Sequence, residues 1–223
     1  MRREVDLAEI SDGVLYRPGD MVRVGCHDCE GCSACCWNME ALVLDPLDIF
    51  RLTTGLQRPF EDFLDRELEL KIVDQMILPQ MRMQQNTGAC AFLGENGRCR
   101  IHPLRPGICR LFPLGRTYED GDFSYFLQIH ECAKKNRYKV KLSQWIDEPE
   151  PEKNRAFLNA WHSLQVKTRS LLPDLAAEER RSLLLYLLKL FYQIPYTGED
   201  FYRQFDRRME RSEKDLETSF RAN

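Results

Sequence analysis

Apolar and polar positions run in short, broken stretches through roughly the first 145 residues and settle into long helical periods only afterwards. Tyr16-Arg-Pro-Gly-Asp20 reads as a turn and Met21–Val24 as a short extended entry, because proline and glycine punctuate the chain there. Ala41–Leu44 is a brief apolar run, and Asp45-Pro46-Leu47-Asp48 after it predicts a helix start. Asp45 is the cap, Pro46 takes the first turn, and Asp48 favours the positive end of the dipole. That helix is expected to run to about Thr54 and stop at Gly55. A second is expected from near Pro59 to about Leu78, with Phe60, Phe63, Leu64, Leu68, Ile72 and Met76 on one face and Pro79 ending it.

Residues 86–116 mix glycine, proline and cysteine and predict an irregular loop. Asp120-Gly121 is a hairpin signal, with Leu114–Tyr118 and Phe123–Ile129 as the arms. The C-terminal third predicts three helices, roughly 152–170, 176–193 and 199–219, broken at Leu172-Pro173 and Pro195–Gly198. Leu184, Leu187, Leu188 and Phe191 form an apolar stripe at helical spacing and are expected in the core. The acid- and proline-rich stretch Asp147–Lys153 is the best boundary, which divides the chain into a cysteine-cluster domain at 1–145 and a helical region at 146–223. The expected fold class is mainly α with a small β component (α+β): an irregular cysteine-rich metal-binding core plus a C-terminal helical bundle.

Composition changes this picture in one respect. A formal net charge of −3 gives no global argument for nucleic acid or for an anionic membrane, and neither is expected as a partner. The charged N-terminus lacks the apolar run of a signal peptide, and Leu183–Ile194 is short for a membrane span and carries Lys189. The expected compartment is therefore reducing, the cytoplasm, where disulfides do not persist and clustered cysteines serve metal or redox chemistry. The chain has nine cysteines, all before residue 133.

Five of them fall in Cys26-His-Asp-Cys29-Glu-Gly-Cys32-Ser-Ala-Cys35-Cys36. Cysteines two residues apart suit a tight turn in which both sulfurs face one metal while backbone N–H groups favour the thiolate. Cys90, Cys99 and Cys109 lie in the irregular loop, and Cys132 follows the hairpin. A loop so poor in apolar residues needs something besides a core to order it, and metal ligation supplies that because binding free energy becomes folding free energy. Neighbouring side chains such as Cys35 and Cys36 are expected to diverge, which suits a cluster with several iron corners better than one tetrahedral zinc. The spacing favours an iron–sulfur centre, with cysteine-only zinc as the alternative, although the closing Cys-Pro of bacterial ferredoxins is missing.

In order along the chain, Cys29-Glu-Gly-Cys32-Ser-Ala-Cys35-Cys36, Gly88-Ala-Cys90-Ala-Phe-Leu and Cys99-Arg-Ile-His-Pro-Leu-Arg-Pro-Gly-Ile-Cys109-Arg-Leu-Phe-Pro113 resemble the bacterial and archaeal CxxCxxCC family. Its members are described as zinc- or iron-chelating and include flagellin lysine N-methylases. The resemblance covers roughly residues 25–135. It implies Cys29, Cys32, Cys35, Cys36, Cys90, Cys99, Cys109 and Cys132 as ligands of metal or cofactor, enough for two four-cysteine centres or for one cluster with spare thiols. The cofactor implied is one or two iron–sulfur clusters of the [4Fe-4S] type, or zinc. Cys26 stands outside the family's core motif and is either an extra ligand or a free thiol. The chain lacks a Gly-x-Gly-x-x-Gly stretch, so the resemblance supports chelation more directly than methyl transfer.

Other residues carry weaker signals. Arg98, Arg100, Arg105, Arg110 and Arg116 occur between Gly97 and Tyr118 without an aspartate or glutamate. They are either solvated loop residues or compensation for negative charge at a thiolate centre, with an anion site beside the metal as a third reading. His102 is read as a turn histidine bonded to backbone, with zinc ligation as the alternative. His130 is a similar case, His27 is read as exposed and His162 as structural. Trp37, Ile101 and Phe112-Pro113 are expected to wall the centre with apolar surface. Three functions stay open: an iron–sulfur protein with a structural or redox role, a zinc-stapled interaction module, and a metal- or cluster-dependent enzyme with a protein substrate.

Overall fold

The computed structural model describes residues 6–25, 33–39, 42–132, 134, 136–198 and 200–219; Cys26, His27, Cys29 and Cys32 lie outside them. In chain order the elements are α1 (Leu7–Ile10), β1 (Ser11–Tyr16), β2 (Met21–Gly25), α2 (Pro46–Leu56), β3 (Leu68–Val73), β4 (Met76–Met81), α3 (Gly107–Leu111), β5 (Leu114–Glu119), β6 (Asp122–Gln128), β7 (Tyr138–Lys141), α4 (Leu142–Ile146), α5 (Pro151–Leu171), α6 (Ala177–Leu188) and α7 (Phe201–Ser219). With 47% helix and 24% strand the class is α+β, and the C-terminal region is helical. The chain divides into two compact units, one from Arg2–Val43 and Met81–Glu150, the other from Leu44–Gln80 and Pro151–Asn223.

The first unit holds a three-stranded sheet in the order β1-β6-β5 and a two-stranded ribbon of β2 and β7. The β5–β6 hairpin closes at Asp120 and Gly121, both left-handed at φ 51° and 79°, in register from Leu114↔Leu127 to Glu119↔Asp122. Two consecutive positive-φ residues match the right-handed strand twist, which is why Asp-Gly marks such turns. The turn before β2 is closed by Asp20, whose carboxylate accepts from the Arg17 N–H at 2.6 Å. β2 and β7 pair antiparallel, Met21↔Lys141, Val22↔Val140 and Arg23↔Lys139, burying Val22 and Val24.

The second unit packs α2 and the C-terminal helices around an aromatic core. Asp45 caps α2 through a reciprocal box with Asp48 (2.9 and 3.1 Å), and the helix passes through Gly55 to end at Gln57, φ 52°. Tyr192 donates its hydroxyl proton to the Leu44 carbonyl at 3.0 Å, and Phe157, Trp161, Phe191, Phe201 and Phe205 are buried together. α6 continues into a wider turn, Lys189–Gln193, and its last carbonyls are satisfied from α7: Arg208 donates to Leu190 and Ile194 at 2.7 and 2.8 Å.

The segment expected to be a helix from near Pro59 to Leu78 is instead a 3-10 turn at Phe60–Phe63 followed by the β3–β4 hairpin. Asp74 and Gln75 both adopt positive φ (47° and 66°), and the chain reverses there. Leu68, Leu70 and Ile72 fit a period of two, while Leu68 and Ile72 also fit a helical face, so the apolar spacing alone does not separate the alternatives. Phe60, Phe63, Leu68 and Met76 are buried as expected, whereas Ile72 is 77% exposed. Pro79 sits inside β4, its carbonyl accepting from the Leu44 N–H at 2.9 Å.

Candidate metal centre

Three chain segments carry the described cysteines of the loop region. The first is a 3-10 turn, Ala34–Cys36, closed by the Cys36 N–H to the Ser33 carbonyl at 2.8 Å and flanked by Trp37, whose Nε1 donates to the Ser33 hydroxyl at 2.9 Å. Beyond the turn the chain runs antiparallel to residues 88–90: the Cys90 N–H donates to the Cys36 carbonyl at 2.7 Å, and the Asn38 N–H to that of Gly88 at 2.8 Å. Gly88 is needed there, because its φ is +74° and a Cβ would run into the Asn38 side chain. On its other side Cys90 bridges Met83, with the Ala91 N–H donating to the Arg82 carbonyl at 3.0 Å.

A tight turn then brings the chain back. Cys99 bridges Leu93, and Arg100 N–H donates to the Phe92 carbonyl at 2.9 Å. Cys109 lies on α3, with its N–H on the Pro106 carbonyl at 2.9 Å, and Cys132 is half-buried after β6. Cys35, Cys36, Cys90, Cys99 and Cys132 are thiols not joined in disulfides.

The structure brings Cys35, Cys36, Cys90 and Cys99 into one electrostatic neighbourhood. The Cys36 thiol bonds that of Cys35 and holds it down to about 7. Cys36 is pushed up by that same bond, then by burial and by the charges of Cys35, Cys90 and Cys99. Burial first, and neighbouring thiols next, push Cys90 and Cys99 up. Cys36, Cys90 and Cys99, crowded and withdrawn from water, resist losing their protons unless a cation replaces them, which is the behaviour of a soft-metal donor set. The donor set is right in kind, yet among the described residues no group of three Cys, His, Asp or Glu side chains is arranged to hold a metal ion. Cys29 and Cys32, the remaining thiols of the first motif, lie outside those residues.

One expectation is corrected here. Cys35 and Cys36 do not diverge; the 3-10 turn folds their side chains into contact.

The arginines separate into distinct roles. The positive charge of Arg105 favours the thiolates of Cys35 and Cys99, and that of Arg100 favours those of Cys90 and Cys99. Arg116 lies over the Phe123 ring at 5.5 Å. Arg110 is buried and donates to the carbonyls of Arg105 (3.2 Å), Asp147 (2.9 Å) and Pro103 (2.8 Å), so it staples the loop. The residue pattern left Arg110 either a solvated loop residue or a charge compensator; the folded loop gives its guanidinium three carbonyl partners. Arg105 contacts His102 Nε2 at 2.8 Å, and since a guanidinium has only donors, that ring nitrogen accepts and its lone pair is engaged. His130 is exposed and His162 half-buried on α5, its pKa lowered by burial and by Arg169. Ile101 and Pro113 are buried, Phe112 is half-buried, and Trp37 stays 41% exposed.

Residues 28–137, which contain every one of these thiols, match the CxxCxxCC family model, described as a "putative zinc- or iron-chelating domain". The chain carries a CxxCxxCC domain. Its matched range begins just ahead of Cys29 and ends just beyond Cys132. No curated protein and no solved structure matched the chain. Among the described residues no helix is long and apolar enough to cross a membrane.

Proposed function

We propose that the CxxCxxCC domain binds its metal as a cysteine-ligated iron–sulfur centre with a structural or redox role. The observation that carries the reading is the approach of Cys35, Cys36, Cys90 and Cys99 from three separate segments, under the positive charge of Arg100 and Arg105. Cys29 and Cys32, with Cys109 and Cys132, complete the eight-thiol set that the family motif implies, and Cys26 is either an extra ligand or a free thiol. Eight thiols exceed the four that one zinc accepts, and a cluster spreads its ligands over a wider frame. When bound, such a group supplies one-electron chemistry or holds the loops. The protein's own residues orient the thiols through the Cys36–Cys90 backbone bond and offset their charge. A reducing compartment such as the cytoplasm keeps these thiols competent to ligate.

Zinc is the second reading, and the contact between Cys35 and Cys36 favours it, because two thiols that meet are able to share one small ion. Anaerobic purification followed by iron, sulfide and zinc analysis and a visible spectrum decides between them. The iron–sulfur reading expects a coloured protein with iron and acid-labile sulfide in comparable amounts. A colourless protein with stoichiometric zinc and no sulfide overturns it.

A further inference from the structure

We propose that Cys36 and Cys90 form a reversible disulfide that switches the metal centre off, a regulation that rests on the metal reading for its consequence but not for its chemistry. Trp37 and Ala89 bridge antiparallel, with the Cys90 N–H on the Cys36 carbonyl at 2.7 Å and the Asn38 N–H on that of Gly88 at 2.8 Å. Those two bonds straddle the Trp37–Ala89 pair, which sets Cys36 directly opposite Cys90. Opposed residues of an antiparallel pair send their side chains to the same face. The charge of Cys90 reaches the Cys36 thiol, as that placement requires.

Distance selects this pair among the thiols. Opposed residues at a hydrogen-bonded position have Cα atoms about 5.5 Å apart, inside the window of about 4.4–6.8 Å that a disulfide spans. Cys35 touches Cys36, but adjacent Cα atoms across a trans peptide are about 3.8 Å apart, below that window. Contact there does not become a bond without distorting the turn. Cys99 faces Leu93 across its own bridge, which is not a thiol. The frame around Cys90 does not depend on the sulfurs: the Gln84 N–H donates to the Ala89 carbonyl at 2.8 Å and the Ala91 N–H to that of Arg82 at 3.0 Å. Cys36 is half-buried and Cys90 buried, so an oxidant from solvent meets Cys36 first.

A hydroperoxide supplies the oxidising equivalents. The Cys36 sulfur attacks it, the O–O bond breaks, and Cys36 becomes a sulfenic acid while the thiol proton leaves with the alkoxide as an alcohol. The Cys90 sulfur then attacks the sulfenic sulfur; the S–S bond forms, the S–O bond breaks, and hydroxide departs with the Cys90 proton as water. Two thiols and one hydroperoxide thus give one disulfide, one alcohol and one water, and a dithiol returns the two electrons. Ligation needs thiolates, so the site loses two donors at once and releases its ion. The disulfide joins the same two segments that the backbone bond already aligns, and the loop keeps its frame without metal.

The test uses the full chain as purified, with its metal, and hydrogen peroxide as the probe, quenched by thiol alkylation. The intact mass falls by two hydrogens, and metal reaches a chromogenic chelator in step with that loss. Tandem mass spectrometry finds Cys36 cross-linked to Met83–Arg98, the tryptic peptide whose one cysteine is Cys90. Dithiothreitol restores both the mass and the capacity to bind metal. Gly88→Ala, which disturbs the alignment with Asn38, slows the cross-link about ten-fold or more while sulfenic acid forms at the parent rate. The reduced, metal-free chain gives the same cross-link. A protein purified without metal overturns the metal reading and the switch with it, while the metal-free arm still decides the pairing. Cross-linking of Cys35 to Cys36, sulfinic or sulfonic acid with no cross-link, a bond between two chains, metal loss no faster than without peroxide, or Gly88→Ala cross-linking at the parent rate each overturns the proposal.

Discussion

Removing the Arg110 side chain is expected to destabilise the first unit more than removing any other charge from its cysteine loop. Its guanidinium is about one-tenth exposed and donates to three backbone carbonyls, at 3.2, 2.9 and 2.8 Å. A hydrogen bond from a charged group is worth about 1.5 kcal/mol or somewhat more. Three of them set a ceiling near 5 kcal/mol, which water entering the vacated space lowers, so Arg110→Ala is expected to cost about 3–4 kcal/mol. For a chain of this size that corresponds to a fall in Tm of about 6–16 °C. Arg110→Lys keeps the charge but lacks the fork, and is expected to recover no more than about a third of the loss. The Asp147 carboxylate is 83% exposed and 3.9 Å from the guanidinium, so Asp147→Asn should cost less than about 0.5 kcal/mol. Urea and thermal unfolding, run with metal bound and after its removal, measure all three. If Asp147→Asn matches Arg110→Ala, or if Arg110→Met is as stable as the parent, the carbonyl bonds are not what holds the loop and the reasoning fails.

The remaining expectations concern single positions. Gly88→Ala forces a left-handed residue against Asn38 and is expected to cost about 1–3 kcal/mol and to lower metal retention in a chelator competition, because Gly88 aligns Cys90 with Cys36; retention equal to the parent would refute this. Tyr192→Phe removes a buried bond to the Leu44 carbonyl and is expected to lose about 1–2 kcal/mol at neutral pH in urea titrations. Burial holds the Tyr192 pKa well above 10, so its neutral form contributes stability that is complete below the unfolded value near 10 and lost as pH rises beyond it. Phenolate absorbance from Tyr192 should therefore appear only as the chain unfolds in alkali, and Tyr192→Phe should flatten stability against pH in that range. Gln75→Gly relieves a positive φ of 66° at the β3–β4 turn and is expected to raise stability by about 0.5–1 kcal/mol, whereas a helix through this segment would lose stability from the same change.

Several elements were legible because their signals are local. Asp45, Pro46 and Asp48 carry a capping arrangement within one turn, and Asp120-Gly121 carries the φ values its hairpin needs, so neither waits on tertiary context. The C-terminal helices repeat their apolar period over many residues, which leaves little ambiguity. The Phe60–Leu78 stretch failed because its apolar residues satisfy two periods at once, and the decision belonged to Asp74 and Gln75 taking left-handed conformations that their residue types only weakly favour. At the site, the clustering of the cysteines was visible along the chain, while the Cys35–Cys36 contact and the carbonyl partners of Arg110 were not. Those depend on a 3-10 turn and on segments 37 residues apart meeting.

By itself, then, the residue order determined the cysteine motif, the family it belongs to, the α+β class and the helical character of the C-terminal third. Each is written in neighbours along the chain or in a repeating period. Only the folded chain decided that Leu44–Gln80 packs in the unit of Pro151–Asn223, that Cys90 lies beside Cys36, and that β2 pairs with β7 from the other end of the cysteine loop. Such pairings join residues far apart in sequence, and their free energy comes from contacts that no short window of residues contains.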